Sequence, residues 1–212
     1  MPRPKKTTAQ LDATREQILD AALDILQASG PEAISIRAIA DHLGVAHMSL
    51  YTYFENQADI LRALRERELA KWRAEQQLIA ARADHVEIGQ IVDEMLGLFI
   101  AFARENPNLY RLAWVMPEVG AESVAENRQR TQATVGQLAQ LLKLGMERGV
   151  FQLREPMLAA GVVLAMVNMP HILFHSGKVI DPVLRDRMVV EMRSAVRLYL
   201  IEPASALAQA PG

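Results

Sequence analysis

Apolar residues recur along this chain at intervals of three and four, the spacing of a helix face, and no useful stretch alternates as a half-buried strand does. Between Asp12 and Ser29 the stripe Ile18, Ala22, Ile25 and Leu26 predicts a first helix, with Thr14 and Gln17 spaced as a capping box and Gly30-Pro31 as its stop. Ser35 caps a second helix carrying Ile36, Ile39, Ala40 and Leu43, and Gly44 ends it. A short third helix covers about Ala46 to Tyr53. From Asn56 a longer one follows to about Ala80, with Ile60, Leu61, Leu64 and Leu69 inward and the charged run RALRERELAKWR expected in solvent.

The second half continues the pattern. Ile88, Ile91, Val92, Met95, Phe99 and Phe102 keep helical spacing up to Asn106-Pro107, a short helix holds Leu109, Leu112 and Trp114, and Pro117 and Gly120 interrupt again. Long helices are expected over Val124 to Arg148, Glu155 to Ser176 and Pro182 to Leu200. Pro170 falls inside the second of these, where it removes a backbone hydrogen bond and is expected to kink the helix. The chain therefore reads as all-α, with about nine helices: a helix-turn-helix domain with a basic arm over 1–56, a larger helical domain over 57–202, and a frayed tail over 203–212.

With 212 residues, half of them hydrophobic and 23% charged, the chain can bury one or two sizeable cores. Cysteine is absent, which excludes disulfides and thiolate metal sites. No uninterrupted apolar run of bilayer length is expected, and MPRPKKTTAQ lacks the apolar core of a secretory signal, so the expected location is the cytoplasm. There is no glycine-rich phosphate loop, no HExxH and no nucleophile elbow, and Glu66 and Glu68 belong to the charged run, so an enzyme is not expected. His171 and His175 lie four apart, as a metal pair would, but no third ligand is near. They are expected to face solvent or an interface, and neither metal nor cofactor is expected.

The segment Ser35–Phe54, SIRAIADHLGVAHMSLYTYF, carries the most information. A helix-turn-helix needs a small residue where its helices cross, a glycine at the turn and apolar anchors for the second helix; Ala40, Gly44 and the set Ile39, Leu43, Val45 and Leu50 meet those needs. His47, Met48, Ser49 and Thr52 then project outward, able to meet base edges and thymine methyl groups. Tyr51 and Tyr53 can donate to phosphate oxygens, and Arg37 with Arg3, Lys5 and Lys6 of the arm supplies positive charge. Spacing alone also fits an ordinary α-hairpin whose tyrosines are core.

The same residues, GVAHMSLYTYF preceded by SIRAIA, with an amphipathic helix upstream and a long helix after, closely resemble the DNA-binding domain of tetracycline-repressor-like (TetR) transcriptional regulators, over about the first third of the chain. The resemblance implies that Ala46–Phe54 is a recognition helix and that Arg37, His47, Met48, Ser49, Tyr51 and Tyr53 contact an operator; Ser35 and Thr52 join the candidates. The family usually has a lysine after the asparagine that opens the fourth helix. Here the pair is Asn56-Gln57, so Gln57 offers a neutral contact only. Over residues 1–56 five Lys and Arg face seven Asp and Glu, and a shallow salt dependence of DNA binding is expected.

The resemblance further implies a C-terminal ligand pocket, a homodimer joined by its last two helices, and a repressor that a small molecule releases from a palindromic operator. Candidate pocket residues are Phe99, Phe102, Tyr110, Trp114, Met116, Leu138, Met166 and Phe174, with Asn168 and His171 as polar handles for a mostly apolar effector. Candidate dimer residues are Leu158, Gly161, Val162, Ala165, Met169 and Ile172, with Met188, Val189, Met192, Val196 and Tyr199. The competing possibility is a helical ligand- or partner-binding protein that has lost specific DNA binding.

Overall fold

The computed structural model describes residues 7–116 and 121–201 and, among these, is helical with no strand. Its α-helices are α1 (Thr8–Ser29), α2 (Ile36–Leu43), α3 (Gln57–Ala80), α4 (Ile88–Glu105), α5 (Pro107–Tyr110), α6 (Ala121–Glu147), α7 (Pro156–His175) and α8 (Pro182–Ile201). The arm residues Arg3, Lys5 and Lys6 and the tail 203–212 lie outside the described residues. The chain divides into two units: one takes residues up to Trp72 together with the segment beginning at Asn106, the other Arg73–Glu105 and the chain from Gly120 onward. The division between these two compact units falls inside α3.

In the first unit α1 begins earlier than expected. Its cap is Thr7, whose hydroxyl accepts from Gln10 N at 3.3 Å while the Gln10 side chain accepts from Thr7 N at 3.0 Å. Thr14, the expected cap, instead donates back to the Gln10 carbonyl within the helix. Ser35 caps α2 as expected, accepting from Ala38 N at 3.0 Å, and Gly44 closes it at φ +66°, a left-handed conformation that a side chain would strain. Ile18, Leu26, Ile34, Ile39, Leu50, Phe54, Ile60 and Leu64 form the core.

The charged run on α3 is not simply solvated. Arg65, Glu68 and Trp72 are buried, and Arg67 reaches α1, meeting Glu16 at 3.0 Å and Asp20 at 2.8 Å while its Nε donates to Glu68 at 2.9 Å. α5 runs into a π-turn, Arg111–Val115, and this segment docks on the first unit: Asn108 donates to the Gln27 carbonyl at 3.2 Å and Arg111 pairs with Glu32.

In the second unit α7 packs against α6 and α8, burying Ala159, Ala160, Val163, Val167, Pro170 and His171. It continues through Pro170 to His175. This helix has 20 residues, no charge and an 18-residue window of mean hydropathy 1.9, long and apolar enough to cross a membrane by length and composition, although Asn168 and His171 interrupt its apolar run. Its composition suits a central wall of a helical bundle equally well. Glu155 caps it, accepting from Met157 N at 3.0 Å and from Leu158 N. The start of α7 is tied to the end of α8 by Arg154, which donates to the Tyr199 carbonyl at 3.0 Å and lies 4.2 Å over its ring, and by Gln152 N donating to the Leu200 carbonyl at 2.8 Å.

Candidate functional site

The segment expected to be a third α-helix is a 3₁₀-helix, His47–Thr52. It is a short link between the Gly44 turn and the buried Phe54, and it closes with i→i+3 bonds such as Ser49 N to the Ala46 carbonyl at 2.9 Å. In a 3₁₀-helix residues three apart share a ridge. Leu50 is the anchor at 1% exposure, whereas Met48 and Tyr51 form one ridge, 65% and 48% exposed, and Ser49 and Thr52 form another, also in solvent.

Two groups fix this turn. Arg15 of α1 donates to the Tyr53 carbonyl and lies 4.2 Å over the Phe54 ring. On the other side Asn56 accepts from Asp59 N at 3.0 Å and Asp59 accepts from Glu55 N at 3.2 Å, a reciprocal cap that starts α3. Sequence reasoning missed Arg15; its i+4 distance from Leu19 on α1 carried no sign of a partner 38 residues away.

The remaining candidates fall into distinct roles. Arg37 is exposed, and its Nε lies 3.9 Å from Asp41, a loose pair that leaves the guanidinium open to a phosphate. His47 is exposed. Ser35 is engaged as the α2 cap, Ser49 donates to the Ala46 carbonyl at 2.6 Å, and Gln57 donates to the Ile34 carbonyl at 2.8 Å, which ties α3 to the loop before α2. A groove of about 860 Å³ lies between α1 and the turn, lined by Ile18, Leu43 and Leu50 and rimmed by Asp20, Asp24, Ser49 and Tyr53. Its carboxylates repel phosphate, whereas the Met48–Tyr51 ridge is not part of it.

The pocket candidates separate. Tyr110, Trp114 and Met116 belong to the first unit, where Tyr110 stacks on Trp114 at 5.1 Å and Trp114 meets the edge of Trp72 at 5.9 Å. Burial raises the Tyr110 phenol above its ordinary range. In the second unit Phe99 and Leu138 share a small void with Met95, Leu96 and Leu164, and with two amides sequence reasoning missed, Gln76 and Gln137. Gln76 was legible in principle, because it extends the buried stripe Leu69–Trp72 by four residues.

Phe102, Met166 and Asn168 lie in the same unit but do not line that void, and Phe174 is covered by the Arg185 guanidinium at 4.5 Å. His171 corrects the expectation of a solvent or interface histidine. It is fully buried, edge-on to Phe99 with ring centroids 6.4 Å apart, and His175 Nε2 donates to the Ala103 carbonyl at 3.3 Å. Burial, then the charges of His175 and Arg185, lower the His171 pKa to about 4. Among the described residues no three His, Asp or Glu side chains converge as a metal site.

Of the dimer candidates, Leu158 and Met169 are 64% and 46% exposed and Ala165 is exposed; Gly161, Val162, Ile172, Met188, Met192 and Tyr199 are half-buried. Val189 and Val196 are buried within the unit itself. Val190 and Leu198 are exposed on α8, as are Val183, Leu184 and Ile201.

Residues 18–64 match the family model described as bacterial regulatory proteins, tetR family. An uncharacterised HTH-type transcriptional regulator of Mycobacterium tuberculosis is 28% identical over 61% of this chain and 56% of its own length. The repressor KstR of the same organism is 28% identical over 55% of this chain and 53% of its own. The chain spans about half the length of these curated relatives. Among solved structures, a putative transcriptional regulator from Saccharomonospora viridis in complex with choline has a TM-score of 0.74 at 17% identity, covering 91% of this chain and 100% of that one. FadR from Bacillus subtilis in complex with stearoyl-CoA has a TM-score of 0.65 at 18% identity, covering 87% and 97%. The chain thus carries a tetR-family segment over residues 18–64, and its fold is similar to that of these solved structures over most of its length.

Proposed function

We propose that the chain is a cytoplasmic, homodimeric, sequence-specific repressor that binds a palindromic operator and is released from it by a small, mostly apolar ligand, acting by binding and not by catalysis. The observation that carries the proposal is the Met48–Tyr51 ridge: two large side chains left in solvent on a turn whose other side is anchored by buried Leu50 and Phe54, inside the segment that matches the tetR-family model. Large apolar groups held out in water on a rigid turn favour a partner surface, and thymine methyl groups with flanking phosphates supply one.

KstR is named a repressor, which supports the sign of regulation. The exposed Leu158, Ala165, Met169, Val190 and Leu198 support a dimer interface on α7 and α8. A two-fold protein reads two half-sites, and a ligand that changes their separation releases both. The fold holds stearoyl-CoA in one neighbour and choline in another, so the ligand is selected by side chains and not by the fold. Helix α3 contributes Gln57–Trp72 to the first unit and its remainder to the second, so a ligand against Gln76 acts on the helix that follows the DNA-reading turn.

The test is a fluorescence-anisotropy titration against the intergenic DNA beside the protein's own gene, with unrelated duplex as competitor. Binding that survives the competitor is expected. Equal affinity for both duplexes would return the chain to a helical ligand- or partner-binding role.

A further inference from the structure

Gln76 is 5% exposed, and its Oε1 has no hydrogen-bond partner. It lines the small void of the second unit, whose other described walls are Met95, Leu96, Phe99, Leu138, Leu164 and the amide of Gln137. A buried amide oxygen without a partner is costly, and a core that needed only packing would be served better by leucine there. The void has room for about one water molecule as it stands. Met95 on one wall is unbranched and adaptable, so the space can widen around an apolar body.

Among the described residues no lysine, arginine, aspartate or glutamate lines the void. A carboxylate entering it would be buried without a cation, whereas a hydroxyl or an amide N–H donates directly to Gln76 Oε1. The glutamine amide can also turn end for end and donate to a carbonyl. Both orientations favour a neutral head group over a charged one.

We propose that this void is the head-group end of the effector site and that the effector is an uncharged amphiphile, an alcohol or primary amide on an apolar body, hydrogen-bonded to Gln76. The assignment rests on the ligand-released reading above and adds the ligand's chemical class and the residue that selects it.

The experiment is calorimetric titration of the full-length protein with octanamide, 1-octanol and octanoate at pH 7.5, on wild type, Gln76→Met and Gln76→Leu, with a thermal melt of each. Wild type is expected to bind the amide and the alcohol at least tenfold more tightly than octanoate. Both variants are expected to lose at least tenfold in octanamide affinity while melting at or above the wild-type temperature, since the lone carbonyl is gone. Gln76→Met keeps the side-chain length, so it reports even if the leucine variant does not fold, and the amide-to-carboxylate ratio on wild type decides independently of both.

Octanoate binding as tightly as octanamide would overturn the proposal, as would variants that keep the amide affinity. No binding of octanamide to wild type would leave Gln76 holding a structural water only. Adding octanamide to the protein–DNA complex separates the two readings: Gln76-dependent binding without DNA release keeps this site and removes derepression, while DNA binding without octanamide binding overturns this site alone.

Discussion

His171 shows at the scale of one residue how burial governs chemistry. In water an imidazole titrates near 6.5, but here the charged form must give up solvent and face His175, Arg185 and Arg104, with Asp186 alone opposing them. The native state therefore stays neutral down to about 4, while the unfolded chain takes up a proton near 6.5. The associated stability is complete above pH 6.5 and is lost as pH falls toward 4, by roughly 3 kcal/mol at most. Urea melts at pH 7 and 4.5 are expected to show the loss in wild type and a smaller one in His171→Leu. An equal loss in both would assign the acid sensitivity to other groups. Nothing in the local sequence NMPHILFH distinguished a buried histidine from an exposed one. Both fit the helical spacing, and only the packing of α6 and α8 against α7 decides between them.

At the scale of the element, α6 ends against a buried aromatic ring. Gly145 lies where any added Cβ would collide with the Phe151 side chain, and Phe151 is itself 8% exposed. An alanine in a helix interior ordinarily gains up to about 1 kcal/mol over glycine, but here the overlap costs about 1–3 kcal/mol, so Gly145→Ala is expected to lower stability. A thermal melt checks the sign, and a rise in melting temperature would show that Phe151 can move aside.

Helix existence and order were legible in the sequence because every long helix carries a full apolar stripe, as Ile88, Ile91, Val92, Met95 and Phe99 do on α4. The cap of α1 was misplaced because Thr7/Gln10 and Thr14/Gln17 have the same spacing, and the sequence does not say which threonine stands outside the helix. The 3₁₀ form of the His47–Thr52 turn was not legible, since a six-residue segment is held by its ends more than by its own propensity. The charged run of α3 misled for a different reason. Arg67 pairs with Glu68 beside it and with Glu16 and Asp20 of α1, which are 51 and 47 residues away.

At the scale of the whole molecule, those same pairs change the electrostatic picture drawn from residues 1–56. Glu16 and Asp20 meet Arg67, and Glu32 meets Arg111, so part of the acidic excess counted there is neutralised by residues outside the window. In the proposed function the groups that face a duplex are Arg37, His47 and the Met48–Tyr51 ridge, all exposed. Phosphate contacts position a protein on any DNA, while contacts to base edges distinguish one sequence from another.

The most direct measurement compares wild type with the Met48→Ala/Tyr51→Ala double variant by anisotropy on the cognate duplex and on an unrelated duplex at the same salt. Both side chains are exposed, so the fold is expected to be unaffected. The account predicts about a tenfold loss or more on the cognate duplex, roughly 1.4 kcal/mol, with little change on unrelated DNA. Unchanged binding to both, or an equal loss on both, would contradict the assignment of this ridge as the element that reads sequence.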